Sequence, residues 1–263
     1  MKRLILPGIL TLGLYACTKT VHLNLDNAPP QIVIQGEVTD DPNGPYFVRI
    51  SRSVSFYSLN DFPPVSGASI KISDNEGNID SLVETTPGIY STHILRGRPG
   101  NTYTLSVLSQ DTLYTAVSTM PQPVKMDSIS FNHQNIFGDK GIYAIANYQD
   151  PPEMGNYYQF IEYLNGKLLN KDVFVFSDRL TNDRYVTRTL RNDSTYLQLN
   201  DSLEVKMYCI DKPVYDYFYQ LEQSGTGNSG NTAAPANPAS NISNGALGYF
   251  SAHTTQSIKT QVH

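Results

Sequence analysis

Apolar and polar residues alternate with a period of two along most of this chain. Segments 31–38, 46–53, 68–73, 78–84, 89–92, 102–108 and 113–118 alternate in this way and carry many β-branched or aromatic residues, as half-buried strands do. Turn-forming residues separate them, among them Asp41-Pro42-Asn43-Gly44, Asp74-Asn75-Glu76-Gly77 and Arg98-Pro99-Gly100-Asn101. About seven short strands in about 90 residues, with no helical period among them, predict an antiparallel β-sandwich over 31–120.

Met120-Pro121-Gln122-Pro123 reads as a linker. Beyond it, 124–263 predicts a second β-rich domain, with strands at 127–133, 141–148, 157–164, 167–176, 184–190 and 203–210. One stretch changes period: Val214, Tyr217, Phe218 and Leu221 recur at i, i+3, i+4 and i+7. With Asp211 as cap and Pro213 in the first turn, this predicts one short amphipathic helix near 213–224. Residues 224–244 are poor in apolar side chains and rich in Gly, Asn, Ser, Ala and Pro, so a long mobile loop is expected. Segments 246–252 and 257–262 can return as closing strands. The fold class is therefore all-β in the main, with a sandwich followed by a β-rich domain carrying one helix.

The N-terminus follows different rules. Lys2 and Arg3 precede an apolar run over residues 4–14, and Ala16 stands before Cys17. This is the layout of an export signal, and the run falls short of the roughly 20 residues a membrane-spanning helix needs. A cysteine directly after a small residue resembles the bacterial lipobox. That resemblance implies cleavage after residue 16, acylation of Cys17 and a tether over 17–30. Two acyl chains anchor a protein stably, at about 0.8 kcal/mol per buried methylene. Thr18 stands where an aspartate would signal inner-membrane retention, so lipid-anchored outer-membrane localisation is expected. The membrane face, periplasmic or external, is open at this point.

Composition narrows the chemistry. A net charge of −5, made more acidic by loss of Lys2 and Arg3, argues against nucleic acid as a partner. Arg179, Arg184, Arg188 and Arg191 are interleaved with Asp178, Asp183 and Asp193, which reads as a solvated, mixed-charge edge. Cys209 lies in an apolar run and reads as a small buried hydrophobe. The five histidines are scattered without a zinc-site spacing, and no metal or cofactor is expected. Gly225-Thr226-Gly227-Asn228-Ser229-Gly230 spells GxGxxG but follows a helix instead of a strand, so it reads as a loop. Asp74, Glu76, Asn78 and Asp80 alternate oxygens, yet they lack the glycine and glutamate positions of an EF-hand and suit a hairpin tip. No GxSxG elbow or other catalytic constellation occurs, and no catalytic residue is assigned. Of the 18 tyrosines, Tyr157, Tyr158, Tyr215, Tyr217 and Tyr219 are candidates for an aromatic contact surface; 215, 217 and 219 cannot all face one side of a helix.

Ile34-Gln35-Gly36-Glu37-Val38, the stretches 45–51 and 65–68, Asp74 to Gly77, 87–90 and the late segment 241–250 together resemble the lipoprotein family called domain of unknown function 4249. The resemblance implies an Ig-like first domain, a β-rich second one and a place beside TonB-dependent outer-membrane receptors. The expected function is non-catalytic: an accessory or ligand-capturing lipoprotein, attached to the membrane through Cys17, with a TonB-dependent receptor as partner in nutrient uptake. Its ligand is unknown, and the contact surface is sought in the second domain. The alternatives are a surface hydrolase whose carboxylates come from distant strands, and a structural or adhesive envelope protein.

Overall fold

A computed structural model describes residues 29–55, 62–136, 139–191, 197–225 and 237–263. Cys17, the signal, most of the tether and residues 226–236 of the expected mobile loop lie outside the described residues. Among the described residues the fold is mainly β with a single α-helix, as the periodicity predicts.

The first half forms β1 (Ile32–Thr39), β2 (Phe47–Arg52), β3 (Ser69–Asp74), β4 (Ile79–Ser81), β5 (Val83–Thr86), β6 (Ile89–Ser91), β7 (Thr102–Ser109) and β8 (Thr112–Thr119). The second half adds β9 (Met126–Ile136), β10 (Asp139–Gln149), β11 (Tyr157–Leu164), β12 (Lys167–Ser177), β13 (Tyr185–Leu190), β14 (Ser202–Ile210), α1 (Lys212–Gly225) and β15 (Leu247–Gln261). Segment 78–84 is one strand by sequence but two in the structure. β4 belongs to one sheet and β5 to another, and the buried Leu82 between them marks the crossing from layer to layer.

One eight-stranded sheet, ordered β12-β11-β14-β15-β1-β2-β6-β5, runs through both halves. Two smaller sheets, β4-β3-β7-β8 and β13-β10-β9, pack side by side on its inner face. The first core holds Ile34, Val48, Ile50, Tyr90, Leu105 and Phe250; the second holds Tyr148, Tyr158, Phe160, Val205 and Met207. Helix α1 covers part of the outer face, where Val214, Tyr215 and Phe218 meet Tyr157, Val175 and Ile210.

Strand β15 joins the two halves. Residues 247–253 pair in parallel with β1, and residues 254–261 pair antiparallel with β14. Its even-numbered side chains face inward throughout: Phe250 and Ala252 enter the first core, and Ile258 packs on the second. Residues 242–252, which follow the linker by about 120 positions in sequence, thus supply part of the first core alongside 31–120.

Changing neighbours leaves backbone groups of β15 without a strand partner, and a buried unpaired amide is costly. Side chains fill the gaps. The Asn241 amide donates to the Phe250 carbonyl (2.7 Å) and its Oδ1 accepts from the Phe250 amide (2.9 Å). Ser118 Oγ accepts from the Ala252 amide at 2.8 Å, and Asp40 Oδ1 accepts from Thr255 at 2.8 Å.

Ser118 also donates to Asp211 Oδ2 (2.8 Å), which accepts from the Thr119 amide as well (3.0 Å). Asp211 Oδ1 accepts from the Val214 amide at 3.3 Å, capping α1 as the sequence predicts. Asp211 therefore locks the helix to β8 and, through Ser118, to β15. Asp211→Ala is expected to cost about 1–2 kcal/mol, measured as a lowered urea midpoint.

Candidate functional site

The outer face of the eight-stranded sheet is built from the residues that alternate with the core. On β1 these are Val33, Gln35 and Glu37, on β2 Phe47, Arg49 and Ser51, and on β15 Leu247, Tyr249 and Ser251. The register sets them in rows. Ile89, Arg49, Gln35 and Tyr249 lie side by side across β6, β2, β1 and β15. Glu37 and Ser251 pair in the adjacent row, and Phe47 is the next outward residue of β2.

Helix α1 stops short of this area and leaves a trough. One hollow, of about 350 Å³, is lined by Val33, Gln35, Arg49, Ile89, Tyr217 and Leu247, with Pro87, Gly88, Asn237 and Pro238 on the rim. A second, more open hollow continues from Gln35, Arg49 and Ile89 to Glu37, Phe47 and Tyr249. The Tyr217 ring forms the helix-side wall and packs against Tyr249 at 5.2 Å.

The rim is held by Glu84, whose carboxylate accepts from the Gly88 amide (2.8 Å) and the Gly67 amide (3.0 Å). Hydrogen bonds from the Ser66 hydroxyl and these amides pull its pKa down to about 2. Gly88 has a φ of +72°, and a Cβ there would sit 2.6 Å from the Ile50 carbonyl oxygen, so the rim turn requires glycine.

The electrostatics differ between the ends of the trough. Glu37 keeps solvent contact, yet the surrounding walls desolvate it and raise its pKa, an effect that Lys206 on the same face partly offsets. Burial raises the Tyr208, Tyr217 and Tyr249 phenols, which therefore stay neutral at pH 7. Further along the same face, His253 is buried against Tyr208 with ring centroids 4.4 Å apart, and its Nδ1 pairs with Ser251 Oγ at 3.0 Å. Burial pulls the His253 pKa down to about 4. Glu37 is the one carboxylate among the described residues lining the two hollows, and no group of three or more His, Cys, Asp and Glu among the described residues could hold a metal.

The residues singled out by sequence fall in several places. Tyr217 lines the trough, whereas Tyr215 packs on Tyr157 at 4.8 Å and Tyr219 is exposed. Tyr158 is buried, with its hydroxyl donating to Asp150. Cys209 is buried among apolar neighbours, and burial pushes its thiol pKa up. Asp74 accepts from the Glu76 and Asn78 amides, and Asp80 Oδ2 accepts from the amides of His93, Ile94 and Leu95, so these oxygens serve turns.

The solvated reading of the Arg/Asp cluster is corrected in part. Asp178 is buried and accepts from the Gly155 and Asn156 amides, and the Arg188 guanidinium lies 4.3 Å from the Phe176 ring centre. Sequence reasoning did not single out Arg49, Gln35, Glu37 or Tyr249 as site residues. Their signal is that they are the outward members of alternating strands, which becomes a site only once β15 is known to lie beside β1.

No curated protein matches the chain. A family model covers it almost from end to end, and the chain belongs to the family described as Domain of unknown function (DUF4249), matched over residues 18–259.

Proposed function

We propose that the protein is a lipid-anchored outer-membrane lipoprotein that captures a small ligand in the outer-face trough and works beside a TonB-dependent receptor in nutrient uptake. The observation that carries this reading is the trough itself. It has apolar and aromatic walls with a few convergent polar groups, the usual make-up of a small-molecule site, and, among the described residues, a single carboxylate where hydrolysis by a carboxylate pair would need two. The anchor is supported by the order of basic residues, apolar run and Cys17, and the family match begins at the next residue, 18. Anchoring confines the trough to the membrane surface and raises the effective concentration of its ligand near a receptor.

The partner is tested by pull-down of the tagged full chain from detergent-solubilised outer membranes, with Cys17→Ala as control. Recovery of a TonB-dependent receptor in near-equal amount with the wild type, and its loss with Cys17→Ala, is expected. Recovery of the wild-type lipoprotein alone would remove the receptor from the proposal.

A further inference from the structure

We infer that the ligand is a small apolar carboxylate, held through its carboxylate by Arg49 and through its apolar body by Val33, Ile89, Leu247 and Tyr217. This rests on the trough being the ligand site. Among the described residues, Arg49 is the one charged residue lining the 350 Å³ hollow. Among the described residues its guanidinium has no hydrogen-bond or ion-pair partner, although it stands one row from Glu37. Lys206 partly offsets the desolvation that raises the Glu37 pKa, and Arg49 forms no ion pair with Glu37 among the described residues. Among the described residues the cationic end of the trough is thus left uncompensated, with Gln35 directly across the strand pair as a second polar contact.

A planar guanidinium matches a carboxylate with two parallel hydrogen bonds. A phosphate dianion would call for a second cation, and the Glu37 row would repel its extra charge. Apart from Arg49 the hollow is lined mainly by apolar residues, with Gln35, Ser51, Ser53 and Asn237 as uncharged polar groups, and at about 350 Å³ it lies at the small end of ligand pockets. The mainly apolar lining favours an apolar body at this end of the trough over a polar chain such as a glycan.

The test is calorimetric titration of the full lipidated chain in detergent with N-acetylphenylalanine and with its methyl ester, which keeps the ring and removes the charge. The acid is expected to bind at least about tenfold more tightly than the ester, the usual contribution of a hydrogen bond to a charged group. Arg49→Gln should abolish that difference, and Tyr217→Ala should weaken acid and ester alike. Equal binding of acid and ester to the wild type, or binding of neither, would overturn the carboxylate assignment and leave the trough as a site for another ligand. Acid-selective binding unchanged in both variants would place the site elsewhere and overturn the functional proposal with it.

Discussion

Gly248→Ala is expected to cost at least about 4 kcal/mol and to bring the protein close to unfolding under native conditions. Gly248 pairs with Ile34 in the parallel contact between β15 and β1. Its φ is +98°, and a Cβ there would lie 2.0 Å from the Ile34 carbonyl oxygen and 2.9 Å from the carbonyl carbon. Both atoms are backbone, so no rotamer change relieves the clash. The strands must part, which removes ladder hydrogen bonds and lifts Phe250 from the first core. Gly245→Ala is the control: its φ is also positive, at +72°, but nothing lies within 4 Å of the added carbon. There only the backbone penalty of about 1 kcal/mol applies. Urea unfolding of the two variants separates the contact from the dihedral. Equal midpoints would show that the close approach of β15 to β1 does not matter to stability.

His253 should give the protein a stability step on the acid side of neutrality. Burial lowers its pKa to about 4 from 6.5. In the folded protein it is neutral where an unfolded chain would already be protonated. Its contribution is therefore complete above pH 6.5 and is lost as pH falls from 6.5 towards 4. At 1.36 kcal/mol per unit, the loss reaches about 3 kcal/mol. Glu37, Asp40, Asp150 and Asp211, whose pKa values are raised, act in the opposite sense, because protonation favours their buried form; they shallow the decline. His253→Asn should flatten the profile between pH 4 and 6.5, read as thermal midpoint against pH. A profile as steep as that of the wild type would show that His253 is not the group responsible.

Local rules carried much of the fold. Strands whose inner face is apolar throughout, such as 102–108 and 203–210, were legible from alternation alone, and α1 from its cap, its proline and its changed period. The connection between the halves was not legible. Sequence shows two closing strands at 246–252 and 257–262 because His253, Thr254, Thr255 and Gln256 interrupt the apolar pattern. The structure shows a single strand, and the polar stretch is where it changes partners and crosses between the two cores. There Asp40 supplies the hydrogen bond to Thr255 that neither neighbouring strand provides, and Gln256 takes the Met126 amide and the Val124 carbonyl. Parallel pairing of β1 with β15, more than 200 residues apart, leaves no local signature.

The site was half visible for the same reason. Tyr217 stood out as an aromatic on an amphipathic helix. Gln35 and Glu37 stood within a stretch that resembles the family, and Arg49 in another. What sequence could not supply is that the helix of the second half walls a trough floored by β1 and β2 of the first half together with β15.

Native mass spectrometry of the full chain taken from growing cells tests the central claim most directly, because one spectrum reads both anchor and cargo. The account predicts a chain cleaved before Cys17 and carrying acyl groups. A small-molecule adduct should accompany part of that population and disappear in both Tyr217→Ala and Arg49→Gln. A mature chain without acyl mass, or an adduct that survives both substitutions, would contradict it.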